Sequence, residues 1–343
     1  DGLADLTTWG EMVERMRDLD IPDGVNVDQV FVQILDPATG TGTFLVEVID
    51  QIHKTMVEKW RVNGHGAAKI NQLWNDYVPK HLLPRLHGYE LMMAPYAIAH
   101  MKIGLKLYET GYSFKSNERA RVYLTNSLEP SQEQINIPDV IVALAHEVEA
   151  VNTIKRDQRF TVVIGNPPYS KSASIHPWSM ELVDTFRTDI HERKSDLTRE
   201  EWKFLRYSYW VLEQTNIGIS GYIINNAFLS APTLRGIRRF LTEDTYYLRI
   251  LDLHGDSRKG ETTPDGSIDQ NVFDIQQGVC VQIGIVNNHT IKSRHVDRSD
   301  IYGLREFKYA HLNSQSVATI QYDAIKPIAP NYFFRNSTTN ADA

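Results

Sequence analysis

The chain has 343 residues, with 36 Lys and Arg against 43 Asp and Glu for a formal charge of −7. That length supports one large domain or two smaller ones around a full core, and the acid excess argues against a protein that wraps nucleic acid by itself, though it leaves room for a local basic face. One cysteine, Cys280 among apolar neighbours, excludes an internal disulfide and a cysteine-rich zinc site and reads as a buried structural thiol.

No charged-then-apolar leader and no apolar run of about eighteen residues is visible, so the expected location is the cytoplasm. The chain opens in mid-pattern, with Trp9, Met12 and Met16 at helical spacing. Residues 1–29 therefore read as a truncated lead-in, with a turn at Ile21-Pro22-Asp23-Gly24. Phe31 to Leu35 is a strand candidate that runs into Asp36-Pro37-Ala38-Thr39-Gly40-Thr41-Gly42-Thr43-Phe44, after which Leu45, Val48, Ile49, Ile52 and Met56 recur at helical spacing. Glycines at such a strand-to-helix turn let the backbone pass close to a ligand, with free helix amides pointing at it. The plainer alternative is a tight turn that only packs helix on strand.

Leu82 to Tyr89 is a second strand ending in Glu90, and Ala94, Ala97, Ile98, Met101, Leu105 and Tyr108 trace the helix after it. An acid at that strand end suits ribose hydroxyls, or is an ordinary helix-start acid. Arg121 to Leu124 closes on Asn126-Ser127, and Ile137 to Ile154 reads as a loop and then a helix. Phe160 to Ile164 is a fourth strand that empties, through Gly165, into Asn166-Pro167-Pro168-Tyr169. Two prolines make that corner rigid, an amide there can accept from a planar amine, and the tyrosine ring can stack on its face.

Residues 170 to 195 are polar without a clear period, either a substrate-facing loop or a surface excursion. Thr198 with Glu201 reads as a capping box for a helix carrying Trp202, Leu205, Tyr209 and Leu212. Gly221 to Asn225, Tyr247 to Leu253 and Val279 to Val286 complete seven strands. Between them lie a helix with Leu234, Ile237 and Leu241, whose Arg235, Arg238 and Arg239 form either a solvated or a phosphate-facing side, and Val272-Phe273 in a polar loop. His254 reads as a surface residue at a strand end, and no metal cluster is visible. Tyr302, Leu304, Phe307 and Tyr309 suggest a small β element, and residues 336–343 a frayed end.

Strands alternating with helices, the last two joined without one, indicate an α/β fold: a Rossmann-like, seven-stranded mixed sheet with helices on both faces. The polar features follow strand ends, where such sheets bind ligands. Asp36 to Phe44 followed later by Asn166 to Tyr169 resembles the gamma-class N6-adenine DNA methyltransferases, which use S-adenosylmethionine. Leu35 to Ile49, His87 to Leu107 and Phe160 to Ser170 further resemble the methyltransferase part of type ISP restriction-modification enzymes, single chains that also carry nuclease, translocase and target-recognition parts.

The resemblance covers residues 30–290 as a catalytic domain, and leaves 291–343 as the start of a C-terminal region. It implies that Asp36, Ala38, Gly40 and Gly42 line the methionine end of the cofactor, that Glu90 holds its ribose, that Leu91 or Met92 packs on its adenine, and that Asn126 with Ser127 lies at the adenine edge. Asn166, Pro167 and Pro168 would hold the target amine, with Tyr169 and Phe273 stacking on the flipped base, and double-stranded DNA containing a specific adenine would be the partner. Two departures stand out: the aromatic-Thr-Pro turn upstream is absent, and Asn126 occupies a position where the family prefers an acid. Other readings are a protein-glutamine methyltransferase, which shares the Asn-Pro-Pro-Tyr corner, an N4-cytosine enzyme, a non-catalytic binding module, and a nicotinamide dehydrogenase, weakened because Thr43-Phe44 follows Gly42 in place of a third glycine.

Overall fold

The computed structural model describes residues 2–131, 142–169, 176–187, 197–287 and 294–335. They fall into two compact units, Asp1–Gly165 and Asn166–Ala343. The first unit opens with α1 (Trp9–Arg15), started by a capping box in which Thr8 Oγ accepts from the Glu11 amide and Glu11 accepts from the Thr8 amide. Four strands follow: β1 (Ile34–Asp36), β2 (Leu86–Glu90), β3 (Arg121–Leu124) and β4 (Val162–Gly165). They lie in the order β3-β2-β1-β4 and are all parallel, so each connection must cross over.

The crossovers are helical: α2 (Thr43–Val62) and α3 (Ala67–Tyr77) join β1 to β2, α4 (Met93–Glu109) joins β2 to β3, and α5 (Val142–Asp157) precedes β4. On α2 the stripe Leu45, Val48, Ile49, Ile52 and Met56 is buried, as its spacing predicts. It packs with Ile34 and Leu86 from the strands and with Trp74 and Tyr77 of α3, the helix that fills the long insert before His87. On α4 the periodic residues named from sequence form the outer side: Ile98, Met101, Leu105 and Tyr108 are exposed, and Ala99, Ile103 and Leu107 face the core. Helical period locates a stripe without saying which side of the helix meets the sheet.

The second unit contains α6 (Pro177–Asp184), α7 (Glu200–Glu213), β5 (Ile217–Asn225), α8 (Arg235–Asp244), β6 (Tyr247–Asp252), β7 (Val279–Asn287), β8 (His295–Asp300), α9 (Arg305–Ser314) and β9 (Asp323–Ile325). Its strands run β5-β7-β6-β8-β9, with β7 antiparallel between β5 and β6, β8 parallel to β6, and β9 antiparallel to β8. Nine strands are thus present among the described residues where seven were expected. β8 and β9 lie where apolar alternation is too weak to announce a strand.

Other expectations are corrected here. Within the polar stretch before α7, Pro177 to Asp184 is helical, capped by the His176 ring accepting from the Trp178 amide. Arg199, not Thr198, precedes α7, and Glu201 is tied to Arg199 Nε at 2.5 Å, so no capping box forms there. Tyr302 to Tyr309 leads into α9 rather than a strand, because Lys308 is buried and Leu312 packs inward at helical spacing. Arg238 is buried, its guanidinium donating to the carbonyls of Phe228, Ala231 and Asn331, so it faces neither solvent nor phosphate. Cys280 is buried as expected. Residues 336–343 lie outside the described residues.

His254 is buried too, with a left-handed φ of 51°. Its Nδ1 meets Glu261 at 2.6 Å, its Nε2 meets Asp300 at 2.8 Å, and its ring stacks on Tyr302 at 3.9 Å. Burial alone would lower the imidazole pKa, but the carboxylates of Asp300, Glu261 and Asp252 outweigh it and push it up to about 9. A folded-state pKa raised from the ordinary 6.5 makes this contribution complete below pH 6.5 and lost as pH climbs through about 9. The difference in thermal stability between the wild type and His254→Asn, an exchange compatible with the left-handed backbone, should therefore shrink across that window by up to about 3 kcal/mol. Melting curves at closely spaced pH values check this, and a difference constant from pH 6 to 10 would contradict it.

Candidate active site

Asp36 is the last residue of β1, and its side chain turns back into the chain that follows: Oδ1 accepts from the Ala38 amide at 3.1 Å. Its carbonyl accepts from Thr39 Oγ at 2.9 Å, and the Thr39 amide reaches the Tyr89 carbonyl on β2 at 3.0 Å. The turn then passes through Gly40 and Gly42 with φ of 55° and 80°, a conformation that side chains rarely adopt. Gly42 also lies against α4, where a Cβ would stand 3.1 Å from Ala99 Cβ. Gly88 on β2 has the same role beneath the turn, since a Cβ there would overlap Thr39 Oγ and come within 2.9 Å of Leu45 Cδ1. Sequence reasoning missed Gly88, although a lone glycine inside a predicted strand signals close backbone approach.

Glu90 completes the turn from the end of β2. One carboxylate oxygen accepts from the Gly40 amide at 2.8 Å and the other from the Met92 amide at 2.7 Å. Each oxygen keeps a further lone pair. Leu91 and Met92 beside it are largely exposed. Asp36 is 1% exposed and its Oδ2 is buried without a partner. Burial pushes its carboxyl up to about 7, the Ala38 amide opposing and the Glu90 charge adding to the rise. The turn therefore presents a buried acid that lacks a donor and an accessible acid with capacity to spare.

At the end of β3, Ser127 Oγ donates to the Pro37 carbonyl at 2.5 Å, tying this corner to the Asp36 turn. Asn126 is committed within its own corner: Oδ1 accepts from the Leu128 amide at 3.0 Å and Nδ2 donates to Glu129 at 2.8 Å. Lys155 of α5, which sequence reasoning did not single out, holds the Asn126 and Glu129 carbonyls at 2.6 and 2.9 Å. The first unit thus brings Asp36, Ala38, Gly40, Gly42, Glu90 and Ser127 together.

β4 pairs with β1 in parallel, Leu35 opposite Val163, so Asp36 and Gly165 leave the strands in the same direction, and Asn166 is the next residue. Within the second unit Tyr169 Oη donates to Asn166 Oδ1 at 2.7 Å and to the Ile223 carbonyl of β5 at 3.0 Å. Burial pushes the Tyr169 phenol well up, so its proton stays. Tyr169 and Phe273 pack against one apolar cluster of Leu251, Leu253, Val272, Val279 and Ile301, which brings together the two aromatic residues singled out. Arg305 of α9 clamps the Phe273 loop, donating to the carbonyls of Asn271 at 2.8 Å and Phe273 at 3.0 Å. Its Nη1 also meets Asp274 at 2.7 Å, and nothing in the sequence pattern marked Arg305, because two of its acceptors are backbone carbonyls.

A family model described as Eco57I restriction-modification methylase matches residues 85–258. No curated protein matches the sequence. Among solved structures, the DrdV–DNA complex is similar at 22% identity and a TM-score of 0.67, over 95% of this chain and 29% of that one. A nuclease-deletion mutant of the type ISP restriction-modification enzyme LlaGI, in complex with a DNA substrate mimic, gives 19%, 0.70, 98% and 27%. The ATP-dependent type ISP restriction-modification enzyme LlaBIII bound to DNA gives 21%, 0.71, 98% and 22%. These likenesses are of fold, and the chain spans under a third of each of those proteins. No described helix is long and apolar enough to cross a membrane.

If Glu90 is what holds the glycine turn, Glu90→Ala should release the Gly40 and Met92 amides. Hydrogen exchange of residues 38–43 should accelerate by about tenfold or more, while α2 beyond Leu45 stays protected. Unchanged exchange in the turn would show that the glycine backbone holds itself.

Proposed function

The chain belongs to the Eco57I restriction-modification methylase family, and on that premise we propose that it is the methyl-transferring part of a DNA adenine-N6 methyltransferase. The observation that carries the reading is that a chain whose β1 ends in a donor-seeking glycine turn also carries an Asn-Pro-Pro-Tyr corner beginning one residue after strand β4.

The first-unit residues fit S-adenosylmethionine. Asp36 Oδ2, buried and unpartnered, suits a cationic ammonium. Glu90 keeps one lone pair on each oxygen for ribose hydroxyls, the exposed Leu91 and Met92 offer apolar surface to a purine, and Ala38, Gly40 and Gly42 leave the turn open to the methionine end. Ser127, held on the Pro37 carbonyl, fixes the wall at the adenine edge. Asn126 contributes there through the shape of its corner, since its side chain is already engaged. When bound, the cofactor supplies an electrophilic methyl group.

The chain's own part in the chemistry lies at the corner. Asn166 Oδ1, oriented by the Tyr169 hydroxyl, and the Pro167 carbonyl each accept one hydrogen of the adenine exocyclic amine. This turns the nitrogen lone pair out of conjugation and toward the methyl. Positive charge grows on that nitrogen during transfer, and two fixed acceptors stabilise it. The proton leaves after the new N–C bond has formed. Pro168 keeps the corner rigid, and Tyr169 with Phe273 supplies ring faces for a base flipped from the duplex. Of the other readings, the family match favours DNA over glutamine, and the asparagine before Pro167 favours adenine over cytosine N4. The specific DNA site, the nuclease, translocase and target-recognition parts, and a bacterial cytoplasmic setting belong to the longer enzyme that this reading implies.

Two measurements test it. Sinefungin, a cationic and unreactive cofactor analogue, should bind one to one by calorimetry. Its affinity should rise by up to about tenfold per pH unit below the Asp36 pKa of about 7 and level off above it, with release of one proton, because binding favours the ionised acid. Asp36→Asn should flatten that profile, and a wild-type affinity independent of pH would remove Asp36 from the site. Asn166→Ala should bind sinefungin as the wild type does while losing adenine methylation on DNA by about a hundredfold or more. Full transfer by that variant would sink the mechanism.

A further inference from the structure

One cavity of the second unit lies outside the groups used so far. β5 ends at Asn225, and β6 and β8 end together at the paired residues Asp252 and Asp300. Asn226, Asp252 and Asp300 line an open cavity of about 510 Å³, within the range of small-ligand pockets. Its acids are already used. Arg298 Nη2 meets Asp252 at 2.8 Å and Asp300 at 2.5 Å, and His254 bridges Asp300 and Glu261. Asp252, His254 and Asp300 offer ligand atoms within 4.8 Å of one another, but a guanidinium and a protonated ring hold the places a metal ion would need.

Asn226 differs from these neighbours. It is 7% exposed, its Nδ2 donates to Asp252 Oδ1 at 3.0 Å, and its Oδ1 is buried with no partner. A bare buried carbonyl is costly, so the floor of the cavity lacks an N–H donor. Tyr302 forms an aromatic wall, and the rim carries the exposed Arg335 and the Lys259 side chain, 59% exposed and paired with Asp256 Oδ2 at 3.2 Å. A donor-seeking floor, a ring wall and a cationic rim match a nucleotide, with the base edge inward and the phosphate at the mouth.

Its place relative to the catalytic corner follows from β5. Tyr169 bonds the Ile223 carbonyl, and Asn226 lies three residues further along, about 10 Å at about 3.3 Å per residue. That is the length of about three stacked nucleotides at about 3.4 Å each. Resting on the adenine reading above, we propose that this cavity holds a second nucleotide of the target strand, within about three positions of the adenine, its base donating to Asn226 Oδ1 and its phosphate lying between Lys259 and Arg335.

The test uses the 343-residue chain and fluorescein-labelled single strands carrying one adenine in a thymidine tract, whose thymine N3–H groups can serve as the donor. A series with one abasic site at each nearby position is titrated by anisotropy. In the wild type one such site within about three positions of the adenine should weaken binding about tenfold. In Ser230→Trp, which fills the cavity mouth, and in the Lys259→Glu/Arg335→Glu pair, the intact strand should bind more weakly and the same abasic site should have less than about a twofold effect. An abasic penalty that persists undiminished in both variants, the lack of any such position, or no strand binding at all overturns the proposal. Failure of the adenine reading shows separately, as wild-type binding indifferent to replacing adenine by thymine together with no methyl transfer to DNA.

Discussion

The amide of Gly40 sits in a left-handed turn where no backbone carbonyl reaches it, and the acceptor it finds is the Glu90 carboxylate on the neighbouring strand. That bond ties the glycine turn to the end of β2, in addition to the strand ladder and the Thr39 amide on the Tyr89 carbonyl. It also sets two acids close together, and the Glu90 charge adds to the rise that burial imposes on the Asp36 carboxyl. The arrangement has a condition attached: a Cβ at Gly88 would push Thr39 off the strand and the whole turn with it. Site, strand pairing and electrostatics in the first unit are therefore one problem solved once.

The second unit is held by cations used on backbone carbonyls. Arg238 gathers three carbonyls, Lys308 is buried on those of Leu253 and Gln270, and Arg305 grips those of Asn271 and Phe273. Loops around β6 and β7 carry many carbonyls that no ladder satisfies, and a long basic side chain reaches several at once. A tally of positive charge thus overstates the basic surface facing a polyanion, since part of it is spent inside.

What could be read from sequence was what depends on short-range pattern. The α2 stripe and the corner at Asn166 to Tyr169 each carry their signal within a few residues, and the structure shows both, while the strand expected over Phe31 to Leu35 is Ile34–Asp36. The misreadings share a cause in side-chain partners that periodicity does not reveal. His254 looked like a surface residue because Asp300 is remote in sequence and Glu261 lies in the polar loop that follows. Arg238 looked solvated because one of its acceptors is Asn331. Thr198 with Glu201 has the letters of a capping box, but Arg199 takes the acid, while Thr8 with Glu11 has the same spacing and forms one. Pattern supplied the elements, and the choice among equally patterned candidates was made by particular side-chain partners, near or far along the chain.

The outward side of α4 adds a contiguous apolar strip to the surface of the first unit. Ile98, Met101, Leu105 and Tyr108 stand in water along one side of a helix, next to Leu91, Met92 and Met93 at its start. Removing such surface from water is favourable by about 25 cal/mol per Å². Salts excluded from protein surfaces strengthen that tendency and cold weakens it. Retention on an apolar resin, and its dependence on sulfate and temperature, therefore follow exposed groups such as this helix side rather than the molecule's average hydropathy.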